Sequence, residues 1–446
     1  MARPSLRAAL RTALRTALRA TLGGAGLTVL LLVVVRPLAG GARSDVTADG
    51  PPVRVLLLEA PLITIGAAGS TGLRLLDQDG RLLLQVDPGR QLRVRRSGPS
   101  LTLEPLASGS PGPLPDQTEA LPSPPIPLQE LRLEPVDDRG LLVLKQRRYR
   151  GALLLRAQGE GLQAINRLPL ERYLTGVVGS EMPASWPQAA LRAQAIASRT
   201  YALQQLRPEA PYDLKATVAS QVYKGVEAES AAVREAVAST RSQVLMHGER
   251  LINAVFHSSS GGLTENSGDL WSRQVPYLVS VPDDDSVSPV SRWEKTFTPE
   301  ALRQAFQEIG GAVTIQPLET SKTGRIRRAK VVGPQGELVL TGSALRERLG
   351  LRSTLVQFSF EPAGRDGAAQ VMPSPALPAE AVHADDPQAA PTLLSSTPSL
   401  QLVARGRGFG HGVGMSQWGA YALALNGKSH EDILRHYYRG AVLRTW

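Results

Sequence analysis

The chain contains no cysteine in 446 residues, so disulfides, thiol catalysis and cysteine-ligated zinc are excluded together, and the redox compartment is left open. Aromatic residues make up only 4%. No basic patch is interleaved with them, and no zinc-finger or helix-turn-helix spacing occurs, so nucleic acid is not an expected partner despite a net charge of +10. A dinucleotide loop is missing as well. In the glycine-rich stretch 406–420, the third glycine of G-x-G-x-x-G falls on His411 when counted from Gly406 and on Val413 when counted from Gly408. No Lys-Ser or Lys-Thr completes a phosphate loop there. His257 and His411 raise the question of a metal, but with no HExxH or comparable spacing no metal and no cofactor is expected. No repeat of fixed period is present.

What is present fits a globular protein of two or three domains, with 42% hydrophobic residues. The basic balance suits work on an anionic surface such as a cell wall or membrane. Arg3, Arg7, Arg11, Arg15 and Arg19 precede an uncharged apolar run, Leu22 to Val35, and then small residues up to Ser44. This is the pattern of an export signal. The run is shorter than the roughly 20 residues of a spanning helix, so residues 1–44 read as a cleaved signal peptide, with a membrane signal-anchor through 22–35 as the alternative. Either way the remainder is expected outside the cytoplasmic membrane, in the periplasm or cell wall.

Between Val53 and Leu103 short apolar runs alternate with turn formers such as Asp79-Gly80 and Pro88-Gly89, which predicts strands. Residues 107–127 are a Pro-rich linker, and strands resume from 131 to 165, giving a β-rich N-terminal region over 52–148. Residues 149–446 form the second region. It holds a helix ending near Gly179, a longer Ala-rich helix opening at Pro187, an inserted lobe over about 293–361 and a Pro/Ala-rich stretch, 362–398, expected to be disordered. The expected fold is α+β: mostly antiparallel, curved sheets packed with the Ala-rich helix, plus the smaller inserted lobe.

Glu181 lies between the two central helices, flanked by Met182, Pro183 and Trp186. Apolar surroundings raise a carboxyl pKa by disfavouring its charged form, which is what a general acid requires. At the end of the first helix the dipole would raise it further; at the start of the second it would lower it. A solvated loop carboxylate or a helix cap is the bland alternative, and the residue alone does not decide. Arg199 and Tyr201 are polar positions on the Ala-rich helix that could reach back towards a substrate, whereas Gln194 reads as solvent-facing. Ser258, His411 and Asp269 make a triad on paper, but no nucleophile elbow accompanies any serine.

Five stretches decide more together than Glu181 does alone. They are Tyr149-Arg-Gly151, the run from Asn166 to Pro183, Ala193-Gln-Ala-Ile-Ala-Ser-Arg-Thr-Tyr-Ala202, His257-Ser-Ser-Ser-Gly-Gly262 and Gly408-Phe-Gly-His-Gly-Val-Gly-Met-Ser-Gln-Trp-Gly-Ala420. In this order they resemble the stage II sporulation protein D family, whose relatives include amidase enhancers. The resemblance covers about 149–446. It implies a lytic transglycosylase acting on peptidoglycan glycan strands, especially strands stripped of stem peptides, and hence cooperation with a cell-wall amidase. It makes Glu181 the catalytic acid, with Arg199, Tyr201, His257, Ser259, His411 and Gln417 as substrate-binding candidates. Some relatives bind zinc through a His and two Cys; without cysteine that site does not carry over. A hydrolase usually needs two carboxylates, whereas a transglycosylase can use one to protonate the glycosidic oxygen and then deprotonate the sugar's own 6-hydroxyl. The alternatives are a non-catalytic wall-binding protein that stimulates an amidase, and a hydrolase using Glu265 or Asp269 as second carboxylate.

Overall fold

The computed structural model describes residues 49–98, 100–106, 130–271, 273–362 and 400–446. The expectations for residues 1–44 and 107–127, and for 362–398 beyond Pro362, lie outside the described residues. Short alternating segments form eleven strands before the first described helix: β1 (Pro52–Ala60), β2 (Leu62–Ala68), β3 (Leu73–Leu76), β4 (Leu82–Val86), β5 (Gln91–Ser97), β6 (Ser100–Leu106), β7 (Glu130–Pro135), β8 (Leu141–Leu144), β9 (Arg147–Tyr149), β10 (Ala152–Gln158) and β11 (Gly161–Pro169). The period of two shows in β7, where Leu131 and Leu133 are fully buried and their neighbours are not.

Strands β6-β5-β2-β8-β9 make a five-stranded antiparallel sheet. A seven-stranded sheet runs β12-β1-β11-β10-β7-β3-β4, with β12 (Leu214–Lys215) pairing parallel to β1 and the other pairs antiparallel. Strands from both sides of residue 148 therefore share the seven-stranded sheet. Their inward residues, among them Val55, Ile65, Leu142, Leu155 and Leu168, belong to one hydrophobic cluster with the central helices.

Those helices are α1 (Leu170–Glu181), α2 (Gln188–Gln204) and α3 (Ala231–Ser239), the last capped by the Ser230 hydroxyl. They lead into β13 (Gln243–His247), β14 (Arg250–Leu251), β15 (Phe256–His257) and the single turn α4 (Ser267–Leu270). The lobe follows, from β16 (Arg292–Phe297) through α5 (Pro299–Ala305), β17 (Thr314–Thr320), β18 (Ile326–Gly333), β19 (Gly336–Thr341) and α6 (Gly342–Leu349) to β20 (Val356–Pro362). It has its own core of Phe297, Phe306, Ile309, Val331, Leu345 and Leu349, completed by Leu402 and Ala404 of β21 (Leu400–Arg407). The chain ends with β22 (Met415–Ser416), α7 (Gln417–Leu425), α8 (His430–Tyr437) and β23 (Val442–Thr445).

Helix α2 is the hub. Ala190, Ala193, Ala195 and Ala197 expose nothing, and their small side chains let α1, α3, α7, α8 and β13 pack around one rod. The fold is α+β with mostly antiparallel sheets, none of them closed among the described residues. No described helix is long and apolar enough to cross a membrane.

Candidate functional site

Glu181 is the last residue of α1, not part of a loop. Pro183 forces its predecessor out of helical geometry, and Met182 is extended at φ −132° and ψ 140°. The glutamate thus stands at the negative end of the helix dipole. Glycines in α1 bring the 222–228 segment close: a Cβ on Gly179 would overlap the carbonyl of Ala228, and Gly176 faces Tyr223. That approach delivers the Val222 N–H to Glu181 Oε1 at 2.7 Å. Oε2 accepts from Gln417 Nε2 at 3.1 Å, and Gln417 opens α7 in the distant glycine-rich motif. Desolvation by burial raises the Glu181 pKa and outweighs these two hydrogen bonds and the Lys224 charge, which lower it.

A cavity of about 450 Å³ opens in front of this carboxyl, lined also by Tyr201, Ser220, His257, Trp271, Phe409 and His411. The motif loops are tied together beneath it. Strands β15 and β22 pair in parallel, Phe409 N–H donates to Ser259 O at 2.7 Å, and Trp418 N–H donates to Ser258 O at 3.0 Å. Gly410, at φ +115°, takes a conformation few side chains allow and leaves room for the His257 side chain, which a Cβ would strike at 2.7 Å. The two histidine rings lie 5.4 Å apart. His257 Nδ1 is 3.1 Å from Val413 O, so it carries the proton and donates. His411 Nδ1 accepts from Val413 N–H at 3.0 Å. Burial, together with Arg346 and Arg325, drives the His411 pKa down to about 4, and burial with the neighbouring His411 and Arg325 charges drives that of His257 well below its usual range. Both imidazoles are neutral at ordinary pH. The residues do not fit a structural zinc: among the described residues no three His, Cys, Asp or Glu converge.

Glu181, Tyr201, His257, His411 and Gln417 therefore line one cavity, while two candidates do not. Arg199 is fully buried and binds Glu171 bidentately, Nε to Oε1 at 2.7 Å and Nη2 to Oε2 at 2.8 Å. It turns into the core because α1 supplies an acid there, and it cannot reach a substrate. Ser259 is also buried, its hydroxyl donated to Asp285; its neighbour Ser258 lines the cavity instead. Gln194, read as solvent-facing, is buried and bonded to Ser198 at 3.0 Å. The triad is not assembled, since Asp269 bonds to Asn266 outside the cavity. Glu265 is buried against Ser321, Thr323 and Arg325, so neither proposed second carboxylate lines the cavity. Sequence reading missed Trp271 and Arg346, which carry no local motif. A larger hollow of about 740 Å³ on the lobe has Glu294 as its lone lining carboxylate, paired with Arg405 at 2.8 Å.

The cavity is thus built from the motif run that holds Glu181, the histidine tip and the glycine-rich loop, and of its lining residues Glu181 and Tyr201 fall within the stretch that a family model matches. Residues 158–247 match the family model described as stage II sporulation protein. Stage II sporulation protein D of Bacillus subtilis is 32% identical over 300 residues, covering 63% of this chain and 76% of the relative. The chain belongs to the stage II sporulation protein D family. Its counterpart in Bacillus amyloliquefaciens is 32% identical over 297 residues, covering 62% of this chain and 74% of the relative. The amidase enhancer of Bacillus subtilis is 29% identical over 294 residues, which span 61% of this chain and 40% of that protein.

Proposed function

We propose that the protein is an exported lytic transglycosylase that cleaves peptidoglycan glycan strands and leaves 1,6-anhydro-muramic acid ends, with Glu181 as its catalytic residue. One observation carries the reading: Glu181 is the only carboxylate lining the cavity among the described residues, and its burial favours the protonated form. A retaining or inverting hydrolase would need a second carboxylate within reach. The single-carboxyl route needs none. Glu181 gives its proton to the oxygen of the bond between muramic acid C1 and the next sugar, and that bond breaks. The resulting carboxylate then takes the proton of the same muramic acid's 6-hydroxyl, whose oxygen bonds to C1. Glu181 ends protonated, as it began, and no water is consumed.

The neighbours suit this sequence. Val222 N–H and Gln417 hydrogen-bond the carboxylate between the two steps, which keeps the proton transferable. The neutral histidines and Tyr201 can hydrogen-bond sugar hydroxyls without placing a cation beside the oxocarbenium-like transition state, and the half-exposed Trp271 offers an indole face for a sugar ring. Export, a wall location and cooperation with an amidase belong to the same proposal, supported by the N-terminal pattern, the basic charge and the amidase-enhancer relative. The test is digestion of amidase-treated sacculi by wild type and Glu181→Gln, read by mass spectrometry for anhydro-muropeptides. A protein that released no glycan fragments but accelerated an amidase equally well with Glu181→Gln would support the non-catalytic alternative.

A further inference from the structure

Glu181 on the helical side and Arg346 from the lobe line the same cavity, and Arg346 is its one cationic side chain among the described residues. Arg346 lies on α6, held there by the burial of its neighbours Leu345 and Leu349 in the lobe core. Its Nε donates to Leu351 O at 3.2 Å, which fixes the guanidinium plane. The two terminal nitrogens have no carboxylate partner among the described residues, although the side chain is partly buried and burial alone lowers its pKa. Three other arginines of this part of the chain are matched: Arg348 with Glu308, Arg328 with Glu319 and Arg405 with Glu361. The groups facing Arg346 are the neutral His411 and the cationic Arg325, so no ion pair with a described residue neutralises it. A partly desolvated guanidinium without an anion is unfavourable by itself and is well shaped for a bidentate carboxylate.

We infer that Arg346 binds the free lactyl carboxylate of muramic acid in glycan strands whose stem peptide has been removed, and so selects those strands. The inference rests on the reading of the cavity as a glycan site and names what discriminates within it. Muramic acid carries the lactyl ether on O3 of the ring whose C1 reacts, so its carboxylate falls within one sugar width of Glu181. In a peptide-bearing strand that carboxyl is an amide, uncharged and bulkier, and it cannot pair with a guanidinium. A chito-oligosaccharide lacks the group altogether. Arg346 is then a binding residue on the reacting sugar's far side, away from C1, where its positive charge does not oppose the transition state.

The experiment measures binding to the full chain carrying Glu181→Gln, which blocks turnover. Three probes of equal length are titrated: denuded alternating glycan with free lactyl groups, the same glycan with those carboxyls converted to primary amides, and a chito-oligosaccharide. A fourth probe with stem peptides attached separates lactyl recognition from recognition of peptide carboxylates. The expected result is at least about tenfold tighter binding of the free-carboxyl probe than of the amide or the chito-oligosaccharide, a difference of about 1.4 kcal/mol. Adding Arg346→Gln should erase that preference and leave chito-oligosaccharide binding unchanged, and Arg346→Lys should keep part of it. Equal binding of the acid and amide probes, an unchanged preference in Arg346→Gln, or a preference for the peptide-bearing probe would each overturn the inference. Should Arg346→Gln not fold, salt decides with Arg346 intact: the preference must shrink as ionic strength rises while chito-oligosaccharide binding holds, and a salt-independent preference overturns it. Wild-type release of anhydro ends from sacculi is measured in parallel, so loss of the transglycosylase reading and loss of the arginine reading are separate results.

Discussion

Replacing Arg199 by methionine should destabilise the fold by about 3–5 kcal/mol, the usual consequence of leaving one partner of a buried ion pair without the other. The structure shows what would be stranded. Glu171, whose side chain is 7% exposed, would lose both bonds from the guanidinium, and the carbonyls of Gln243 and Val237 would lose donors now at 3.2 and 3.3 Å. A loss of that size is a large share of the roughly 5–15 kcal/mol that holds an ordinary domain together. Arg199→Lys should fall between, since it keeps the charge and loses the fork geometry. Combining Arg199→Met with Glu171→Gln should recover part of the loss, because no ion then remains buried. The assay is urea unfolding followed by fluorescence, with glycan binding measured on the folded fraction. An unchanged unfolding midpoint together with weakened glycan binding would refute the reasoning and return Arg199 to the substrate.

Three further outcomes follow from the site. Because burial raises the Glu181 pKa and the acid form starts the reaction, kcat/KM should fall as pH rises through that raised value. The same sign governs stability: the contribution of this group is fully present below the unfolded carboxyl pKa and is lost as pH rises through the folded one, so Glu181→Gln should remove that loss in thermal melts across the interval. Gln417→Leu removes a donor from the carboxylate and should move the alkaline limb of the pH profile upward with the fold intact, which a pH series on denuded glycan checks. Gly179→Ala should cost several kcal/mol or prevent folding, since its Cβ has no space against Ala228, and circular dichroism with melting reads this directly.

The elements were largely legible because their periods are strong. The short apolar runs at 53–58, 73–76, 82–86 and 141–144, set off by turn formers, are strands, and the Ala-rich helix opens at Pro187 as its composition demands. Helix α1 runs two residues beyond Gly179, which moves Glu181 from a junction onto a helix end and settles the sign of the dipole effect. The site was legible only where motif residues carry it. Glu181, His411 and Gln417 stand in recognisable stretches, whereas Arg346 and Trp271 reach the cavity through the packing of the lobe and of a single helical turn, which no local pattern encodes. Arg199 shows the converse failure: a polar residue two positions from Tyr201 looks available, but helical geometry points it at Glu171 and the core. Ser259 and Ser258 differ by one position along a strand end, and that alone sends one hydroxyl to Asp285 and leaves the other facing the cavity.

The central claim is that one carboxyl works as both acid and base without water. It is tested most directly by digesting amidase-treated sacculi with the purified protein and weighing the muramic acid ends. The account predicts anhydro ends, lighter by one water than reducing ends, released by wild type and not by Glu181→Gln. Reducing ends from wild type, or undiminished release by Glu181→Gln, would contradict it.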